Sequence, residues 1–180
     1  MNNEVIIEST EKWLRSIVID LNLCPFAKRE LIKNCVRFFV SAAKSEEQLL
    51  ADLEQELELL NSDDSVETSL LIHPKVLNDF YEYNQFLGYA EGLLEQMDLI
   101  GVYQIASFHP DYQFGGTAPD DVENYTNRSP YPILHLLREE SLECAIANYP
   151  GSDLIPGKNI ELMKSMGNEK LQNRLKACFE

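Results

Sequence analysis

The chain is 180 residues long and carries 15 basic against 30 acidic side chains, a formal charge of −15, and at this length one domain burying roughly 70% of its unfolded surface is expected. So acidic a balance argues against non-specific binding to nucleic acid or to anionic lipid, both of which need a positive surface. Hydrophobic residues at 44% and charged residues at 25% argue against a disordered chain. No apolar run approaches the ~20 residues of a membrane span. Met1-Asn2-Asn3-Glu4 has neither the basic start nor the apolar stretch of a secretory signal, so the expected compartment is the cytoplasm.

Trp13, Leu14, Ile17, Val18 and Leu21 recur at helical spacing and predict a helix over residues 11–23, with Ser9 or Thr10 as its cap. Cys24-Pro25 breaks it, and Pro25 suits the first turn of a short helix over 26–33. Residues 35–41 alternate Val36, Phe38 and Val40 against Cys35, Arg37 and Phe39, the period of a strand. Ser45 and Gln48 read as a capping box. The helix they open puts Leu50, Leu53, Leu57 and Leu60 on one stripe, with Glu47, Asp52, Glu54, Glu56 and Glu58 largely outside. A second strand over 66–73 is closed by Pro74. Asp79 and Glu82 then cap a long helix with Tyr83, Leu87, Ala90 and Leu94 on its apolar face. Strands over 100–108 and 133–138 follow. Helices over 141–149, 160–166 and 168–178 finish the chain, with Gly167 between the last two.

Strands separated by helices favour crossover connections. The expectation is a single α+β domain over residues 1–180, an α/β sandwich in which helices pack on a mixed sheet of about four strands. A ferredoxin-like variant is one arrangement that fits. Cys24, Cys35, Cys144 and Cys178 form no C-x-x-C pair and have no histidine at zinc-finger spacing, so reduced thiols are expected. Cys35, Cys144 and Cys178 read as small buried hydrophobes.

Several segments carry a family likeness: Leu23-Cys24-Pro25-Phe26-Ala27, His109-Pro110-Asp111-Tyr112-Gln113-Phe114, the stretch from Asn124 to Pro132, Leu134-His135-Leu136-Leu137-Arg138-Glu139, and Ile155-Pro156 with Lys158-Asn159. Together they resemble the bacterial family known as domain of unknown function 1415 over most of the chain. That resemblance implies a bacterial single-domain protein and names no reaction.

The connection 109–132 is long for a compact domain, and loops of that length are usually functional or disordered. Tyr112, Phe114, Tyr125 and Tyr131 give it the aromatics of an ordered one. His109 and Asp111, set by Pro110, are placed to converge on one metal or one proton, with His135 as a third group. Equally, each can satisfy backbone groups of the loop. Gly115 and Gly116 offer amides to an anion or simply make a turn. Arg128 and Asn127 are candidate ligand contacts, and Arg128 can instead pair within the acidic chain. Cys24, if it caps the helix after it, has a thiol activated by the helix dipole; the alternative is a packed thiol. His73, ahead of Pro74, reads as structural.

Three function classes follow. The first is a small enzyme with a polar His/Asp/Arg site beneath the 109–132 loop, in which His109, Asp111, His135 and Cys24 carry the chemistry on a small-molecule substrate. The second is a non-catalytic binder of a divalent metal, held by His109, Asp111 and His135, or of a small anion. The third is an acidic interaction domain that uses the helix after Ser45.

Overall fold

In a computed structural model of the chain, residues 2–180 are described. They form α1 (Asn3–Trp13), a π-helical segment (Leu14–Ile19), α2 (Ala27–Ile32), β1 (Val36–Val40), α3 (Glu46–Ser62), β2 (Thr68–Ile72) and α4 (Phe80–Gln96). Then come β3 (Tyr103–Phe108), a 3-10 turn (Val122–Thr126), β4 (Ile133–Arg138), α5 (Glu139–Ala147), α6 (Ile155–Met166) and α7 (Asn168–Ala177).

The capping signals at Ser45 and Asp79 act where the sequence places them. Ser45 accepts from the Gln48 N–H, and Asp79 accepts from the N–H groups of Tyr81 and Glu82. Gln48 reaches back to the N–H of Lys44. The first helix starts eight residues earlier than expected, at an Asn2 cap. Ser9 and Thr10 do not cap it, because their hydroxyls donate back to the carbonyls of Val5 and Ile6 within the helix and both residues are buried.

The strand order is β1-β2-β4-β3. β1 and β2 are parallel, with α3 as their crossover, and β4 is antiparallel to both β2 and β3. The α+β sandwich with a four-stranded mixed sheet is therefore the fold. The ferredoxin-like variant gives way to another connection order, β-α-β-α-β-β, because Pro74 and the Asp79-capped α4 stand between β2 and β3 where the split pattern has a hairpin.

Both sheet faces are covered. Leu71, Leu134 and Leu136 pack with Leu53 and Leu57 of α3 and with Tyr83 and Phe86 of α4. Leu70, Ile72 and Ile133 face the other way, onto Ile6, Trp13 and Ile17 of the first helical stretch and onto Met163 and Leu171 of α6 and α7. Each such side chain contributes about 1.5–3 kcal/mol by leaving water. On the α3 face Arg37 forks to the buried Glu56, at 2.8 and 2.9 Å, and Ser69 donates to the same carboxylate at 2.6 Å. Glu56 thus turns inward from a helix whose acids are expected largely outside. Of the cysteines read as buried, Cys178 is, Cys35 is half-buried and Cys144 is exposed on α5. Among the described residues no helix is long and apolar enough to cross a membrane.

Candidate functional site

The 109–132 connection is ordered, and its polar groups are used internally. Asn124 is fully buried: its Oδ1 accepts from the Phe114 N–H and the Thr117 hydroxyl, while its Nδ2 donates to the carbonyl of Ala118. Arg128 stacks 4.5 Å from the Tyr125 ring and donates to the carbonyls of Pro119 and Tyr112. Asn127 donates to Ser107. Gly115 and Gly116 are exposed, and Gly116, at φ +82°, takes a left-handed turn that favours glycine. Of the residues expected as ligand contacts, Arg128 and Asn127 make bonds that close the loop, while Gly115 and Gly116 form its exposed turn.

His109 is wholly buried at the end of β3. Its Nδ1 accepts from the Asp111 N–H at 3.0 Å, which leaves Nε2–H to donate to the carbonyl of Leu77 at 3.2 Å. Leu77 holds a left-handed φ of +57°, and His109 fixes that strained turn from one side. His73 fixes it from the other, through Nδ1 to the carbonyl of Val76. His73 Nε2 is sealed in without a partner, beside the stacked ring of Tyr83. Burial depresses both imidazoles, His73 to about 4, so they stay neutral. The Asp111 side chain is exposed, and only its backbone meets His109.

The metal triad fails on strand parity. Ala106 of β3 lies opposite His135 of β4, and Ser107 lies opposite Leu134. His109, two residues beyond Ser107, therefore sits on the α3/α4 face, while His135 projects from the other. Among the described residues no group of three His, Cys, Asp or Glu side chains is placed to hold a metal ion.

What the structure does bring together is Cys24 and His135. Both line a half-open cavity of about 210 Å³ on the face away from α3 and α4. Leu70, Ala106, Phe108 and Leu137 form its floor; Leu14 and Val18 form one wall, and Leu142 and Ala145 of α5 form another. Ala106, directly across from His135, is the small side chain that leaves room over the imidazole. The residues from Cys24 to Glu30 close the remaining side, after the chain leaves the π-helical segment at Asn22 with φ +54°.

The His135 ring has a fixed proton. Thr68 Oγ1 lies 2.6 Å from the carbonyl oxygen of Leu136, which can only accept, so the hydroxyl proton points there. The contact of 2.7 Å between Thr68 Oγ1 and His135 Nε2 is then Nε2–H donating to the hydroxyl oxygen, and Nδ1 keeps its lone pair. Burial pushes His135 down to about 4, which leaves a neutral imidazole. Cys24 is pushed up by burial, partly opposed by the nearby backbone of Phe26 and Ala27. Cys24 does not cap the following helix as expected: Phe26 holds the cap position with no side-chain cap bond, and burial dominates at the thiol.

The rim is charged. Arg29 pairs with Glu30, while Glu67 forms no ion pair among the described residues. Arg138 contributes its stem, since its guanidinium donates to the carbonyl of Leu60 in the last turn of α3, to those of Asp63 and Val66 just after it, and to the Tyr103 hydroxyl. The residues missed by sequence reasoning are Thr68, Ala106, Leu142 and Ala145. Their signal, a shared sheet face with His135, exists only once the register of β2, β3 and β4 is known.

No curated protein and no solved structure matches the chain. One family model does, the one described as Protein of unknown function (DUF1415), over residues 5–173. With segments 23–27, 109–114 and 134–139 all inside that match, the chain belongs to the DUF1415 family.

Proposed function

We propose that this protein binds a small, predominantly apolar molecule in the cavity between His135, Cys24 and α5. The observation that carries this reading is the lining, an apolar floor and walls with a few neutral polar side chains, Cys24, Thr68, His135 and Ser141, the composition typical of small-molecule sites. An apolar cavity of about 150 Å³ is enough to take up benzene, so 210 Å³ suits a substituted single ring or a skeleton of roughly ten non-hydrogen atoms. The acidic rim and the charge of −15 disfavour anions, which sets aside the anion-binding alternative. The same charge argues against nucleic-acid partners.

An enzymatic use of the same cavity is the second reading. Cys24 lines the cavity, and the nearby backbone of Phe26 and Ala27 favours its thiolate. Burial keeps that thiol protonated, so ligand binding ranks ahead of nucleophilic catalysis.

Calorimetric titration with toluene tests the main reading. Wild-type protein should bind it, and Ala145→Phe, which fills the cavity from the exposed side of α5, should weaken binding at least about tenfold while retaining the wild-type melting temperature within a few degrees. Equal binding by both proteins, or none by wild type, overturns the reading.

A further inference from the structure

Among the polar side chains that line the cavity, His135 has an open hydrogen-bonding position on its imidazole ring. Its Nε2–H is spent on Thr68. Nδ1 has no partner among the described residues, and unlike His73 Nε2 it is not sealed away from solvent. The ring lines the cavity and is half-buried, so this lone pair opens onto the space a ligand would fill. Thr68 has its proton on Leu136 and its oxygen on His135, the guanidinium of Arg138 is used at the C-terminal end of α3, and Ser141 and Glu67 line the cavity from α5 and from ahead of β2.

A neutral imidazole nitrogen held this way accepts hydrogen bonds and cannot donate one. Burying it against an apolar ligand without a donor costs the lost hydration of Nδ1, whereas a ligand O–H or N–H replaces the water it displaces. We infer that the molecule this cavity selects is uncharged, mostly apolar and equipped with one hydrogen-bond donor, as in a phenol, an indole or an alcohol, and that His135 Nδ1 is the atom that selects it. Thr68 is the positioning residue, because its bond to the Leu136 carbonyl decides which ring nitrogen keeps the proton. This inference rests on the cavity being the binding site.

The test compares toluene with phenol, two rings of nearly equal size that differ in the donor. The ratio of their affinities is measured in wild type, His135→Phe and Thr68→Val. His135→Phe should lower the preference for phenol over toluene roughly three- to tenfold, the effect of losing one neutral hydrogen bond, and leave toluene binding in place. Thr68→Val removes the acceptor for Nε2–H and lets the proton move to Nδ1. Affinity should then shift from phenol toward anisole, which offers only an acceptor, and ¹⁵N spectra of the ring should report the changed tautomer. An unchanged phenol-to-toluene ratio in His135→Phe, or a wild-type ¹⁵N spectrum with the proton on Nδ1, overturns the inference while toluene binding upholds the cavity. Failure of toluene to bind wild type overturns the cavity reading itself.

Discussion

Thr68 of β2 meets its diagonal neighbour His135 of β4 at 2.7 Å, and the Leu136 carbonyl, 2.6 Å from the same hydroxyl, settles which of the two donates. A threonine on one strand thereby sets the protonation pattern of an imidazole on the next. The consequence is a neutral acceptor facing an apolar cavity.

The depressed imidazoles make stability pH-dependent in a defined direction. In the unfolded chain His73 and His135 take up protons near pH 6.5, but in the folded protein only near 4. Between those values the unfolded state binds more protons, so stability is full above pH 6.5 and is lost as the pH falls toward 4, by roughly 3 kcal/mol per histidine at most. Ring-proton NMR should show both histidines still neutral at pH 5, with the urea midpoint lower at pH 5 than at pH 7.5. Midpoints near 6.5 for either ring contradict the burial argument.

His109 and Asp111 should separate on mutation. His109→Ala strips the bonds to the Leu77 carbonyl and the Asp111 N–H and leaves a cavity beside Tyr83, so about 2–4 kcal/mol of stability should go. Asp111→Ala, at an exposed side chain, should stay within about 0.5 kcal/mol. Urea unfolding with and without added zinc checks both. Equal losses, or stabilisation of wild type by zinc that both variants abolish, would restore the metal site.

Arg37 and Glu56 should not be equivalent. Glu56 is buried and Arg37 keeps about a third of its side chain in solvent, 4% against 34% exposed. Removing the arginine strands a buried carboxylate with Ser69 alone, so Arg37→Met should cost about 3 kcal/mol or more. Glu56→Gln leaves a cation that can reach water and should cost only about 1–2 kcal/mol. Denaturation of both variants at pH 7 gives the comparison, and the reverse order contradicts it.

Cys24 should react slowly with iodoacetamide at pH 7, because burial holds its thiol protonated, whereas the exposed Cys144 should be modified first. Peptide mass mapping over time distinguishes them, and saturating phenol should slow Cys24 further without affecting Cys144. Preferential modification of Cys24 at pH 7 would favour the nucleophilic reading of the cavity.

Much of the fold was legible because its signals are local. Ser45 and Asp79 cap the helices they precede, Pro74 follows β2, and β4 runs over Ile133–Arg138 as its pattern indicates. The start of α1 was not legible, because Ser9 and Thr10 resemble caps in sequence and become back-bonded helix residues only when tertiary packing buries them. The candidate site divides the same way. Cys24 and His135 were recognisable as chemically notable, but their meeting in one cavity is a long-range event. His109 and Asp111 looked convergent because Pro110 joins them, yet the pairing of Phe108 with Ile133 sends His109 and His135 to opposite faces, and no local pattern encodes that register. The loop's length suggested function, and its side chains instead close it.

The central claim is that the cavity on the His135 face is where a ligand goes, and methyl-resolved NMR of the wild-type protein titrated with toluene tests it most directly. The account predicts saturable shifts confined to Leu70, Ala106, Leu137, Leu142 and Ala145, with Leu53 and Leu57 behind the sheet unmoved. Shifts scattered over both faces, or centred on the 109–132 loop, would contradict it.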